Sequence, residues 1–359
     1  MCICALALRY IACYIRLVAC GILAGSGVAL LGEQTPSRVP LNLHMSSNDN
    51  RMKRVHCLGV LVVDALSGPL THYPIPGRIT QVNTETIRFM SGGGAANTAS
   101  ALCQMGIPAA VFSKLGDDPN GVFLLRELEA HGVDTRGIRV SKTDTTPFTF
   151  VGVHPDGERT FIHTPGANRT FSLADIDRQA LLDTDYLLYD DLWVLPRLDG
   201  KPGAELLREA QTQGIVTLLD ECWGLGPNRE SFETMVPHAE YVLPSYHDLS
   251  AVYPGKTPEE IIAILHQLGA KKIVLKMGKA GCLLSCGGAV QAIASVATRV
   301  VDTTGAGDSF VAGFIAGLVR GCTDRESAVI GNRTAAICIQ HVGGAVGIPS
   351  FEALREGLP

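Results

Sequence analysis

Val301-Asp-Thr-Thr-Gly-Ala-Gly-Asp-Ser-Phe310 runs on into Val311-Ala-Gly-Phe-Ile-Ala-Gly-Leu-Val-Arg320 and then meets Gly321. An apolar stretch leads into consecutive small residues, and these open a helix expected over 305–320. Phe310, Phe314 and Leu318 share one face at helical spacing, and Gly321 marks the end. Small residues at a helix N-terminus leave free N–H groups aimed at one spot. Together with the helix dipole they form a site for an anion, phosphate above all. Asp308 falls in the first turn of that helix. A lone first-turn Asp is ordinarily just a favourable partner for the dipole. The whole heptad 302–308 is another matter, since chance gives such a string with probability on the order of 10⁻⁹ per position. A carboxylate beside an anion hole can take the proton of a nucleophilic hydroxyl while the amides of Gly305, Ala306 and Gly307 hold developing phosphoryl charge.

Outward from this stretch the chain alternates strand and helix. The run 55–63 is apolar apart from His56, as expected of one strand buried on both faces. A helix is expected over 95–105, a strand over 109–114 and a helix over 121–131, with Gly106 and Gly132 closing the two helices. Further strands are expected at 186–189, 216–220, 241–243 and 272–276. Thr257-Pro-Glu-Glu260 reads as a capping box with Pro at the first helical position, and Thr323-Asp-Arg-Glu326 opens a helix to about 341. This order gives an α/β fold: three layers around a mostly parallel sheet, with ligands beyond the carboxyl ends of the strands. Two segments break the pattern. Residues 79–90 and 148–164 alternate apolar and polar without helical period, and Pro-Asp-Gly at 155–157 supplies a hairpin turn. They read as a small antiparallel β flap, a lid with segments near 75–90 and 147–165.

At 359 residues and about 150 per domain, the chain has room for two domains or one large one. Hydrophobic residues make up 46% and charged residues 18%, as in a chain with a packed core. The net charge of −5 offers no basic surplus for a phosphate backbone, so no nucleic acid is expected as partner. Of the 11 cysteines, Cys2, Cys4, Cys13 and Cys20 crowd the amino terminus; the rest are scattered without zinc-ligand spacing, which suits reduced thiols. Residues 17–32 carry no charge and follow Arg9 and Arg16. That pattern is signal-like, yet short of the ~20 residues needed to cross a bilayer. A targeting segment, a weak anchor and a start codon assigned too far upstream all compete, and the last is preferred. Residues 1–51 are therefore expected outside the fold and 52–359 within it, in a cytoplasmic protein with no stable membrane partner.

These motifs resemble those of the ribokinase-like (PfkB) carbohydrate kinases. Asp-Thr-Thr-Gly-Ala-Gly-Asp at 302–308 is similar to the family's carboxy-terminal signature, and Gly92-Gly93-Gly94-Ala95-Ala96-Asn97 to its amino-terminal one. Asp64, the flap and Gly-Ala-Asn at 166–168 fit as well, and the resemblance runs from about 55 to 354. It implies Asp308 as catalytic base, with Gly305, Ala306 and Gly307 as anion hole. Asp64, Gly93, Gly94 and Asn97 align with positions that bind sugar hydroxyls, and a site built around hydroxyls rejects analogues lacking them. Lys276-Met-Gly278-Lys-Ala-Gly281 resembles the strand and turn before the nucleotide, and Asn332 the position facing adenine. ATP and Mg2+ are the implied cofactors. Asp302 and Thr304 match positions where many members also bind a monovalent cation, K+. Departures are plain. Where the family often has Asn-x-x-Glu serving phosphate and magnesium, this chain reads Ser245-Tyr-His-Asp248. Where many sugar kinases carry Asp-x-Asn-x-Arg, it reads Asp220-Glu-Cys-Trp-Gly224.

The expected activity is ATP-dependent phosphorylation of a sugar hydroxyl, ribokinase- or fructokinase-like. A nucleoside kinase shares both signatures, and a non-catalytic sugar-binding regulator could keep the fold. A Rossmann dehydrogenase is excluded because Gly59-Val-Leu-Val-Val-Asp64 is not G-x-G-x-x-G. The P-loop hint at Gly255-Lys-Thr257 fails because Ser250 stands where its first Gly must be. Each flap segment has an apolar face that a small isolated sheet cannot leave in water. A homodimer through the lid is the expected assembly.

Overall fold

The apolar run at 55–63 is two strands, not one. β1 (Val55–Leu58) ends at Gly59, and β2 (Val62–Ser67) starts three residues on, in a different sheet. Between them the Gly59 N–H donates to the Phe112 carbonyl at 3.2 Å and the Val60 N–H to Asp191 Oδ2 at 2.9 Å. Residues 55–63 are all buried, so apolarity alone hides the break. The computed structural model describes residues 52–75, 77, 79–155, 159–222 and 226–357. The amino-terminal segment 1–51, the centre of the expected 155–157 turn, and Trp223 and Gly224 lie outside the described residues.

The large sheet also holds β4 (Ala109–Gly116), β5 (Ile138–Ser141), β8 (Tyr186–Leu192), β9 (Val216–Glu221), β10 (Tyr241–Val242), β11 (Lys272–Lys276), β12 (Cys282–Cys286) and β13 (Ala289–Ile293). Its order is β13-β12-β11-β10-β9-β8-β1-β4-β5, parallel from β5 to β11 and antiparallel at β12 and β13. On one face lie the helices Gly94–Gln104, Pro119–Ala130, Ala306–Val319 and Asp324–Cys338. On the other lie Lys201–Thr212, Arg229–Met235, Tyr246–Val252 and Pro258–Gln267. Three layers result, as the alternating sequence requires. Each fully buried Leu, such as Leu187 or Leu188, contributes roughly 2 kcal/mol by leaving water.

The expected capping box forms at Thr257 with Glu260, with Pro258 at the first helical position. A second forms at Thr323 with Glu326, where the helix runs to Cys338 rather than 341. The helix after the signature differs from its sequence reading. Residues 309–318 are buried all round, not on the Phe310–Phe314–Leu318 face alone. The helices Gly94–Gln104 and Asp324–Cys338 pack against it on two sides, which an all-apolar helix permits.

The small sheet is ordered β3 (Ile87–Gly92), β2, β6 (Phe148–Val153), β7 (Arg159–Thr164). It is antiparallel at β2–β3 and β6–β7 and parallel at β2–β6. Only the end of the 79–90 segment is strand; residues 79–86 form a connection, with Thr71 and Asn83 bonded across it. Among the described residues no helix is long and apolar enough to cross a membrane. The cysteines described, Cys57, Cys103, Cys222, Cys282, Cys286, Cys322 and Cys338, are free thiols.

Candidate active site

The carboxyl ends of four neighbouring parallel strands carry polar residues: Asp190 and Asp191 in β8, Asp220 and Glu221 in β9, Ser245 just after β10, and Lys276 in β11. The Asp302–Asp308 loop meets them. Gly305 caps the Ala306–Val319 helix at φ 70°, and a Cβ there would stand 2.5 Å from the Gly344 Cα. Only glycine fits there. Of the first-turn N–H groups, that of Ala306 donates to the Thr303 carbonyl at 3.3 Å, while that of Gly307 stays open. Asp308 projects from this turn, half-buried, and Asn97 Nδ2 donates to its Oδ2 at 2.7 Å. Burial pushes the Asp308 carboxyl up from its ordinary value, against the Asn97 hydrogen bond and the positive charge of Lys276.

Lys276 is the cation of the site. Its Nζ donates to both oxygens of Asp220, at 2.7 and 2.6 Å, and lies 3.6 Å from where a Cβ on Gly307 would sit. The ammonium therefore borders the open Gly307 amide. Burial works to lower its pKa, but the charges of Asp220 and Glu221 outweigh this and hold it above the ordinary lysine value. Glu221 Oε1 accepts the Ser245 N–H at 2.5 Å, while its Oε2 is buried without a partner. Burial raises the Glu221 carboxyl; Lys276 opposes the shift, and Asp220 and Asp248 add to it. Asp248 occupies the first turn of the Tyr246–Val252 helix.

The amino-terminal signature is anchored by a pair that sequence reasoning passed over. Asp191, buried and with φ at 62°, accepts from Val60 N at 2.9 Å, Gly94 N at 3.1 Å and Ala95 N at 3.3 Å. It thereby caps the helix that carries Asn97. Gly93 precedes that helix at φ 94°, and a Cβ on it would lie 2.3 Å from the Val60 carbonyl oxygen. Asp190 accepts from Thr98 Oγ1 at 3.1 Å. The only sequence signal was two adjacent acids ending an apolar run. Asp64 sits in β2, flanked by Met90 of β3 and Thr149 of β6. Burial pushes its carboxyl up to about 6, opposed by a hydrogen bond from Thr149.

Gly278 and Gly281 bound the turn after β11, where Met277 N donates to the Gly281 carbonyl at 2.7 Å. Asn332 is buried, and its Nδ2 donates to the carbonyls of Ile293 at 3.3 Å and Ala294 at 3.2 Å. It braces the end of β13 beside that turn. Asp302 and Thr304 are bonded to each other and to Arg159 of the small sheet.

The pfkB family carbohydrate kinase model matches residues 52–350. The chain belongs to the pfkB family of carbohydrate kinases. This pfkB kinase is 26% identical over 315 residues to an ATP-dependent 6-phosphofructokinase of Thermoanaerobacterium thermosaccharolyticum, covering 86% of this chain and 94% of the relative. It is 28% identical over 273 residues to the ribokinase of Bacillus subtilis, covering 76% and 88% respectively. Among solved structures, the ribokinase of Thermotoga maritima superposes with a TM-score of 0.73 at 24% identity, over 84% of this chain and 98% of that one. Arabidopsis thaliana ribokinase complexed with ribose and ATP gives 0.74 at 22% identity, over 85% and 98%. As a carbohydrate kinase, the pfkB enzyme acts on a sugar with a phosphoryl donor.

Proposed function

We propose that this kinase transfers the γ-phosphoryl group of ATP to a hydroxyl of an unphosphorylated sugar, with Asp308 as base. One observation carries the reading. Asp308, held by Asn97 at 2.7 Å, shares a single helical turn with the open Gly307 amide, which Lys276 borders. A proton acceptor and a hole for phosphoryl charge thus stand within one turn of backbone, as in-line transfer requires. Asp64, Asn97 and the backbone at Gly93 and Gly94 hold the sugar hydroxyls. The acceptor oxygen bonds to the γ-phosphorus as its proton passes to Asp308, and the bond to the β-phosphate oxygen breaks to release ADP. Lys276 and the amides of 305–307 take up the charge spread over the transferring group. The Asp220 carboxylate keeps Lys276 protonated throughout. The turn at Gly278–Ala280, with Gly281 and Asn332 behind it, borders the nucleotide.

Magnesium fits on the donor side. Glu221 Oε2 is a buried oxygen with no partner, and Asp248 is near enough to act on its charge. Among the described residues no group of three or more metal-holding side chains converges. Glu221 and Asp248 would hold it, through waters, together with Ser245. Bound there, it neutralises phosphate charge. The lid covers the acceptor and pairs with the lid of a second copy, in a cytoplasmic homodimer.

Ribose, fructose, 2-keto-3-deoxygluconate, inositol, fructose 6-phosphate and adenosine, each offered with ATP, test the acceptor through ADP release. A neutral sugar should give the highest kcat/KM; preference for adenosine or fructose 6-phosphate would overturn that choice. Asp308→Asn should lower kcat at least about 10³-fold with little loss of sugar binding, and near-normal turnover would remove Asp308 as base.

A further inference from the structure

Arg159 opens β7 on the face of the small sheet that also carries His163, four residues on. Its guanidinium reaches the signature loop in a fork: Nη2 donates to Asp302 Oδ1 at 2.9 Å and Nη1 to Thr304 Oγ1 at 3.2 Å. The Asp302 carboxylate has further partners from its own loop and from Gly343. Its Oδ1 accepts the Thr304 N–H at 2.9 Å and hydroxyl at 2.8 Å, and its Oδ2 accepts the Gly343 N–H at 2.9 Å. Burial works to raise this carboxyl; the hydrogen bonds outweigh it and hold it below the usual range. Thr304 directly precedes Gly305, so the fork ends next to the anion hole.

Asp302 and Thr304 are the positions where the family resemblance places a monovalent cation. That ion does not fit here. The side-chain oxygens it would use already face a cation, and a second positive charge would be repelled by the guanidinium. Arg also holds a planar fork that a spherical ion cannot imitate. Resting on the phosphotransfer reading above, we propose that Arg159 is a positioning residue, its guanidinium serving as the fixed cation of the 302–304 segment. Transfer then runs without added potassium, and the place of the lid is tied to the shape of the hole.

The full chain in chloride salts of potassium, sodium and choline provides the test. Wild-type transfer to its best sugar should stay within about twofold across the salts, whereas Arg159→Ala in choline should fall about tenfold. Potassium should restore most of that loss, and Arg159→Lys should keep an intermediate rate. Melting temperature, measured without substrate, should be equal in the three salts for the wild type and raised by potassium for Arg159→Ala. A wild type whose rate or melting temperature rises specifically with potassium overturns the proposal. So does an Arg159→Ala protein that potassium leaves unchanged. If the wild type phosphorylates no sugar in any salt, the kinase reading fails instead, and the melting series still decides the role of Arg159.

Discussion

The two sheets differ in sequence pattern, apolar runs in the large one and apolar–polar mixture in the small one, and they end in opposite conditions. Every residue of β4 and β8 is buried, because helices cover the large sheet on both faces. In the small sheet five of the six residues of β7 are exposed, and β3 is open along its first half. Registers put Phe89 opposite Ala65, Ala65 beside Phe150, and Phe150 opposite Ile162, so these side chains share one face. On it Phe89 is 56% and Ile162 66% exposed. The large sheet can therefore hold buried charges rigidly at its rim, while the small one offers apolar surface that only another body can cover.

Charge removal at the rim should have the largest effect on stability. Lys276→Met leaves Asp220, which is 2% exposed, without its partner. Loss of about 3–5 kcal/mol in denaturant unfolding is expected, with partial recovery in the Lys276→Met, Asp220→Asn double variant. An unchanged midpoint would break the contrast between rigid rim and open lid. Asp64→Asn, rooted in the lid, should act on binding instead and raise the sugar KM about tenfold or more. Its stability effect has the opposite sign. A carboxyl raised to about 6 when folded, from 3.8, makes the fold less stable as pH climbs through that interval. The Asn variant should therefore melt higher than wild type at neutral pH and lose that advantage below pH about 4. In the wild type, sugar KM should rise as pH falls through about 6. A melting gain that persists at acid pH would assign the effect to packing rather than charge. Smallest for catalysis is Phe89→Asp on the outer lid face, where kcat should change less than about twofold. Sedimentation should then show dimer giving way to monomer; a wild type that is already monomeric at micromolar concentration would remove the dimer.

Local signals were legible wherever a short stretch settles its own structure. Thr257-Pro-Glu-Glu260, Thr323-Asp-Arg-Glu326 and the small residues at 305–307 each fix a helix start from within one turn, and all three begin within a residue of expectation. Long-range pairings were not legible. Lys276 meets Asp220 across 56 residues and Arg159 meets Asp302 across 143, separations on which periodicity is silent. The break at Gly59 was hidden because β1 and β2 are both buried, so their apolar runs fuse. By contrast the β12–β13 hairpin had a signal that was overlooked, the Gly287-Gly288 pair between two strand-like runs. Asp190 and Asp191 resembled ordinary strand-end acids until their backbone donors came into view.

That fused run also sets how the acceptor side can move. One uninterrupted backbone passes from an inner strand of the large sheet, through Gly59-Val60-Leu61, into an inner strand of the small one. The small sheet thus hangs on a stiff stem with no slack tether there. Asp64 lies just beyond the stem, close to the fulcrum, while Arg159 lies far out along the arm. A small twist of the stem would displace the Asp64 carboxylate less than the Arg159 guanidinium, which would swing through a wider arc. On the proposed reading, capture of the sugar and seating of the signature loop would be geared to each other at unequal ratio, by the mechanics of a single strand.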